Sequence, residues 1–174
     1  MDIVGAISKL KNYFMSSAQI GGITKLIPIE IVTSAGAYIA NDSIGGSVKV
    51  DGAYRGAVFN KSGVIHSIKA QFVTGATVGD IRVHFFNTEV TATDNDAFVP
   101  TAAQQKTMIP YTVLLESANK ETVNSIDSIH LTGLNIPFQV YGADGLLYMN
   151  IMAAAGVTIG TTSGLHITLG ILQD

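Results

Sequence analysis

The chain has 174 residues, which fits one domain with an arm, and its composition is 13% charged and 47% hydrophobic, with a net charge of −3. An average soluble domain carries about 25% charged residues, so we expect part of the surface to face other protein. Cysteine is absent, which excludes disulfides and thiolate metal sites. The ten Lys and Arg residues are scattered singly, which argues against direct binding of nucleic acid.

The first residues form a pattern of their own, and we predict an N-terminal amphipathic helix or arm over residues 1–25. Four apolar side chains fall on one stripe of such a helix, at Ile3, Ile7, Leu10 and Phe14. The pattern ends at Gly21-Gly22. Three alternatives are open for this stripe: it packs on its own domain, it contacts a neighbouring subunit, or the segment frays. We name its four residues as candidate interface residues.

From Leu26 onward the apolar period changes to two, which predicts a β-sandwich domain over residues 26–174. Ile27, Ile29 and Ile31 alternate with other residues in the first strand, and Pro28 favours a sheet edge or the start of a strand. The alternation predicts eight to ten short strands in all. After the first strand, the predicted strands are 48–50, 66–72, 81–85, 112–115, 126–131, 138–141, 146–152 and 165–172. Only Pro100–Met108 has a helical pattern after residue 26. This order predicts an all-β, antiparallel sandwich or jelly roll.

The apolar run Leu146–Ile159 is shorter than the roughly 20 residues that a membrane-spanning helix needs, and Asn150 interrupts it. We therefore expect no membrane association. The region Gly145–Gln173 contains no charged residue at all. In the last strand, His166 and Thr168 form a polar face without charge, so we predict that they lie at or near a subunit interface. The alternative is that the C-terminal strands are buried on both faces within one sandwich.

Four histidines raise the question of a metal site. His66, His84, His130 and His166 lie in four different predicted strands, and no two have the spacing of a compact ligand set. We interpret them as ordinary strand residues and expect neither a metal nor another cofactor.

The densest acidic segment is Asp94-Asn95-Asp96, in a polar run that could offer oxygen ligands to calcium. The glycine and glutamate of a calcium-binding EF-hand loop are missing, and Asp and Asn also form turns without an ion. We therefore predict structural turns at Asp94 and Asn95. A second turn is predicted at Asp42, Gly45 and Gly46.

No catalytic motif is recognisable. Gly-x-Ser-x-Gly does not occur, and the glycine-containing turns lack the features of a phosphate-binding loop. We expect no enzymatic activity, with a metal-dependent hydrolase as the least favoured alternative. A carbohydrate- or receptor-binding module is a further alternative, for which exposed aromatic side chains would be needed; the candidates are Tyr38, Tyr54, Tyr111 and Tyr141.

Two segments resemble a known family. Ala37–Gly46 is similar to a stretch near the start of small virion structural proteins of tailed bacteriophages, in which a strand like Gly63–Ala70 follows. Ile81–Asn87, followed by Thr93–Phe98, is similar to a second region of that family, and Leu146-Leu147-Tyr148 resembles a strand before its last hairpin. The resemblance covers roughly residues 28–174.

The resemblance implies a head decoration or auxiliary capsid protein that is made in the host cytoplasm and located on the capsid surface. It implies the major capsid protein or other virion proteins as partners, and a homo-oligomer, with a trimer as one option. A protein of the neck, the tail or a fibre base is the alternative within the same class.

Overall fold

A long hairpin folded over on itself generates the fold. The computed structural model describes residues 23–50, 61–73, 76–140 and 146–173. Within them lie a helix α1 (Ala102–Thr107), a 3-10 turn (Ser117–Asn119) and eleven strands. The strands are β1 (Ile23–Ile31), β2 (Gly36–Tyr38), β3 (Ser43–Val50), β4 (Lys61–Phe72), β5 (Ile81–Phe86), β6 (Met108–Leu115), β7 (Lys120–Val123), β8 (Ile126–Val140), β9 (Leu147–Ala153), β10 (Val157–Ile159) and β11 (Leu165–Gln173).

The strand pairs are nested. β1 pairs with β11, β2 with β10, β3 with β9, β4 with β8 and β5 with β6, all antiparallel. The resulting sheets have the orders β1-β11-β4-β8-β7, β3-β9-β5-β6 and β10-β2. Successive hairpin arms alternate between the two large sheets, which is the arrangement of a jelly roll. The predicted all-β, antiparallel sandwich of jelly-roll type is thus confirmed.

The core lies between the two large sheets, because alternate residues of each strand face inward. Ile167, Leu169 and Ile171 of β11 are fully buried, while His166 and Thr168 on the opposite face are partly exposed. β1 forms one edge of the five-stranded sheet, where Pro28 is exposed, in agreement with the edge position predicted from this proline.

A second apolar cluster covers the outer face of the four-stranded sheet. It contains Phe86, Val90, Phe98, Tyr148 and Met152, and the rings of Phe86 and Phe98 meet edge to face with centroids 6.1 Å apart. Every residue of β9 is buried: one face lies in the main core, and on the other Tyr148 and Met152 lie in this cluster. Asn150, between them, donates a hydrogen bond to the Ser43 hydroxyl at 2.7 Å. β9 therefore lacks charged residues because other segments of the same chain bury both of its faces.

Three local features differ from, or refine, the sequence-based expectation. The segments 126–131 and 138–141 were expected as two strands, but β8 runs unbroken through most of both, with Gly133 at a φ of 72°. A bulge between Ile65 and Ser67 interrupts the alternation of β4, so Ile65 and Ile68 both face the core. The predicted helix after Pro100 is α1, which is capped reciprocally by Thr101 and Gln104.

The predicted N-terminal helix, with Ile3, Ile7, Leu10 and Phe14, lies outside the described residues, as do Tyr54 and Tyr141. β1 begins at Ile23, inside the range predicted for the arm. Among the helices of the described ranges, none has the length and apolar character needed to cross a membrane.

Candidate functional site

The two chain segments that carry the family resemblance fold against each other. Asp94 is at the centre of their contact, because its carboxylate accepts hydrogen bonds from the other segment and from the loop before it. Gly45 N donates to Asp94 Oδ1 at 2.6 Å and the Tyr38 hydroxyl at 2.9 Å, while Ser34 N donates to Oδ2. We call this contact between residues 34–46 and 92–98 the motif junction.

Main-chain hydrogen bonds complete the motif junction. Asn95 N donates to Ser43 O and Ser43 N to Asp96 O, both at 2.8 Å. Phe98 N donates to Asn41 O at 3.0 Å, beside an isolated bridge between Asp42 and Ala97. The junction therefore joins two segments about fifty residues apart into one rigid unit.

Backbone conformations explain why glycine and asparagine occupy these turns. Gly45 and Gly46 have φ angles of 77° and 68°, and Asn41 and Asn95 also lie in the left-handed region. A side chain on Gly46 would meet the carbonyl oxygen of Ala92 at 2.8 Å, so the two segments approach too closely for any other residue.

Asp42 closes the turn at the other end of the junction. Its Oδ2 accepts a hydrogen bond from Ile39 N at 2.8 Å, and its main-chain oxygen accepts one from Ala153 N at 2.9 Å. The five residues expected at structural turns, Asp42, Gly45, Gly46, Asp94 and Asn95, are thus brought together in one place. The expectation assigned them to two separate turns, and their mutual contact was not foreseen.

The electrostatics of the junction follow from these contacts. Burial alone would raise the pKa of Asp94, but hydrogen bonds from Ser34, Gly45 and Tyr38 outweigh it and hold the pKa below its usual range. Burial, together with the Asp94 carboxylate, raises the pKa of the Tyr38 hydroxyl far above its usual value. Asp94 is therefore an ionised acceptor that is surrounded by donors, an arrangement suited to holding loops and not to proton transfer.

Stability should depend on pH through this carboxylate. The folded-state pKa of Asp94 is lowered, so its contribution is fully present above the unfolded value of about 3.9 and is lost as the pH falls through the folded value. Hydrogen bonds from Ser117 and Thr122 likewise lower the pKa values of Asp80 and Asp127. We expect the Asp94→Asn variant to lose less stability than the wild type between pH 4 and pH 2, measured by urea unfolding at each pH. Equal losses in the two proteins would contradict this role of Asp94.

The calcium alternative for residues 94–96 conflicts with these contacts. Both oxygens of Asp94 already accept hydrogen bonds, and Oδ1 of Asp96 accepts one from Ala97 N. In the described ranges, no three His, Cys, Asp or Glu residues are grouped so that they could hold a metal ion. The four histidines lie in β4, β5, β8 and β11, as the sequence predicted.

A groove of about 500 Å³ lies on the outer face of the four-stranded sheet, beside the second apolar cluster. Arg82, His84, Thr112, Phe98 and Met152 are among its lining residues. Burial, and then the charge of Arg82, lower the pKa of His84, so this histidine is neutral near pH 7. Its Nδ1 lies 3.2 Å from the Thr112 hydroxyl. The lining contains no carboxylate that could orient His84 beside this hydroxyl, and the groove offers a largely apolar surface for contact.

His166 and Thr168, the C-terminal residues predicted for an interface, lie on the outer face of the five-stranded sheet. They are aligned with Gln71 and Lys69 of β4 on one side, and with Glu30 and Pro28 of β1 on the other. This face carries charged residues from the neighbouring strands, which the sequence of β11 alone did not reveal. The interface role of His166 and Thr168 stays a prediction.

The aromatic residues suggested for a carbohydrate-binding edge do not form a platform in the described part of the chain. Tyr38 is 1% exposed and hydrogen bonded to Asp94, so it was wrongly placed among the exposed candidates. Tyr111 of β6 is 47% exposed.

Sequence reasoning missed a surface next to the motif junction. Val32, Ile39 and Val99 are 74%, 71% and 80% exposed, which is unusual for aliphatic residues held in ordered loops. The signal in the sequence was the stretch between Glu30 and Asp42, which contains no charged residue.

Comparison with known proteins gives only weak similarities. No protein-family model matches the chain, and no curated protein matches it. Among solved structures, it is similar to a chain in a full particle of Israeli acute paralysis virus heated to 63 degrees, with 12% identity over 88% of this chain and 72% of that one and a TM-score of 0.30. A chain in the native virion of Kashmir bee virus at acidic pH has 12% identity over 87% and 70%, with a TM-score of 0.29. A chain of a marine algae virus of the order Picornavirales has 6% identity over 88% and 69%, with a TM-score of 0.20. At these TM-scores the likeness carries no argument about function.

Proposed function

We propose that the chain is a non-enzymatic structural protein of a virion, and specifically a head decoration or auxiliary protein of a tailed bacteriophage. It acts through protein–protein contacts, with the major capsid protein as its main partner. The resemblance of residues 28–174 to that family is the basis of the proposal.

The motif junction is the observation that carries it. If the two segments matched the family by chance, they would have no reason to contact each other in the fold. Instead, Asp94 of one segment accepts hydrogen bonds from Tyr38 and Gly45 of the other. Residues 37–46 and 93–98, which are part of the resemblance, thus belong to one interaction that joins the two loops. This favours a common fold-defining motif over a coincidence of turn residues.

The character of the candidate sites supports a contact role. The acidic residues of the motif junction are engaged in structural hydrogen bonds, and the groove beside β5 has an apolar lining with a neutral histidine. Exposed aliphatic side chains next to the junction provide surface for a protein partner.

Binding to phage heads tests the proposal directly. Purified heads that lack the protein are incubated with increasing amounts of the purified chain, and bound protein is measured after sedimentation through a cushion. We expect saturable binding at a fixed ratio to the major capsid protein, and release of DNA from decorated heads at a higher temperature than from bare heads. Heads from an unrelated phage serve as the control.

Absence of the chain from purified virions, measured by mass spectrometry, together with no binding to heads, would overturn the proposal. Saturable binding to isolated tails and not to heads would replace the head assignment with the neck or tail alternative.

A further inference from the structure

An uncharged corner of the molecule is formed by three segments next to the motif junction. It comprises residues 31–41, 97–99 and 160–162, none of which is charged. Thr33 N donates to Thr162 O at 2.8 Å and Phe98 N to Asn41 O at 3.0 Å, so the segments are joined directly. In the sequence, Glu30 and Asp96 border the corner.

The corner contains an open strand edge. Thr158 of β10 exchanges main-chain hydrogen bonds of 2.9 and 3.0 Å with Thr77, so its N–H and C=O point away from β2. Ala37 is opposite Thr158 in the β2–β10 pair, and its own N–H and C=O therefore point away from β10. Among the described residues, no strand pairs with that edge of β2.

We propose that this corner is a self-association surface, at which β2 of one copy pairs antiparallel with β2 of a second copy. Two copies of the same strand related by a twofold axis can exchange both hydrogen bonds of Ala37, because an antiparallel pair of identical strands is symmetric. The contact joins the two small sheets into one four-stranded sheet. This inference goes beyond the proposed function and does not depend on it.

The open edge of β2 and the absence of charge at the corner together favour a second copy as its occupant. A surface without charge meets its own copy without like-charge repulsion, whereas nucleic acid or an anionic membrane would find no Lys or Arg there. By contrast, the outer face of the five-stranded sheet carries Glu30, Lys69 and Glu121, and is less suited to its own copy.

The corner is also held in a fixed shape before any contact forms. Asp94 and Asp42 hold the main chain of the loops that carry Val32 and Ile39, so the loop backbone loses little conformational entropy on association. Val99 follows Phe98, which is anchored in the second apolar cluster. The three exposed aliphatic residues thus lie in segments that hydrogen bonds join to the rest of the fold, and Ile39 follows β2 directly.

Sedimentation equilibrium over a range of protein concentrations tests the inference. We expect the wild type to form a species of twice the chain mass of 18.3 kDa. Ile39→Lys and Val99→Lys should each raise the dissociation constant at least about tenfold, because each buries a charge in the contact. Val123→Lys is the matched control, since Val123 is 63% exposed on β7, at the far edge of the five-stranded sheet, and should leave the constant unchanged.

Hydrogen exchange provides a second measurement. Exchange at the Ala37 amide should slow as the protein concentration rises, while the amides of β7 exchange at a constant rate. A wild type that is monomeric or trimeric at every concentration would overturn the inference, as would a dimer that both lysine variants leave intact. A dimer that does not bind heads and is absent from purified virions would refute the proposed function and leave this inference standing.

Discussion

Replacing Asp94 with alanine is expected to lower the free energy of unfolding by about 3 kcal/mol, although its carboxylate is only half-buried. The truncation removes the acceptor shared by Ser34 N, Gly45 N and the Tyr38 hydroxyl. Ser34 N and Gly45 N then lose their acceptor, whereas the hydroxyl of the buried Tyr38 keeps Ser34 O as an acceptor at 2.8 Å. Chemical denaturation followed by far-ultraviolet circular dichroism measures the effect.

Two further variants show whether the loss comes from the junction itself. Tyr38→Phe removes a single hydroxyl and should cost about 1 kcal/mol. Asp96→Ala is the control, because its exposed carboxylate accepts only from the adjacent Ala97 N, and it should change stability by less than about 0.5 kcal/mol. Equal losses for Asp94→Ala and Asp96→Ala would contradict the central position of Asp94.

Replacing Gly45 with alanine should also destabilise the fold by about 3 kcal/mol. Its φ of 77° strains any other residue by about 1 kcal/mol, and the added methyl group would lie 2.2 Å from Ile31 Cγ2 in the core. The expected loss is the sum of backbone strain and overpacking, measured by the same unfolding experiment.

Gly133→Ala separates these two contributions. Gly133 has nearly the same φ, 72°, but no atom lies within 4 Å of the position that a Cβ would occupy. Its replacement should therefore cost only the strain, about 1 kcal/mol. If both glycine variants lost the same amount, the close approach between Gly45 and Ile31 would have no energetic consequence.

The sequence predicted the fold class well because apolar alternation is a local signal. Ile27 and Ile31 in β1, and Ile167 and Leu169 in β11, are buried as their spacing indicated. The short strands β2 and β10 were missed, since three residues are too few to show a period. Their existence depends on pairing with each other across more than one hundred residues.

The candidate site was predictable only in part, because its contacts join residues that are far apart in the sequence. Asp42 and Asp94 were each expected to shape a turn, which is a property of neighbouring residues. That Asp94 also holds Tyr38 and Gly45 depends on the long-range packing of the strands, which no local pattern contains. The C-terminal charge deficit was likewise ambiguous, because the segment that buries the outer face of β9 includes Phe98, far away in the sequence.

The nesting of the strands has a consequence for synthesis. β11 lies between β1 and β4 in the five-stranded sheet, and of these strands it is synthesised last. Until β11 emerges, β1 has no partner in that sheet, and one edge of β4 is unpaired. The order of synthesis therefore opposes stepwise folding of this domain. It should reach its native state only after β11 has been made, with the slow kinetics of a long-range β topology.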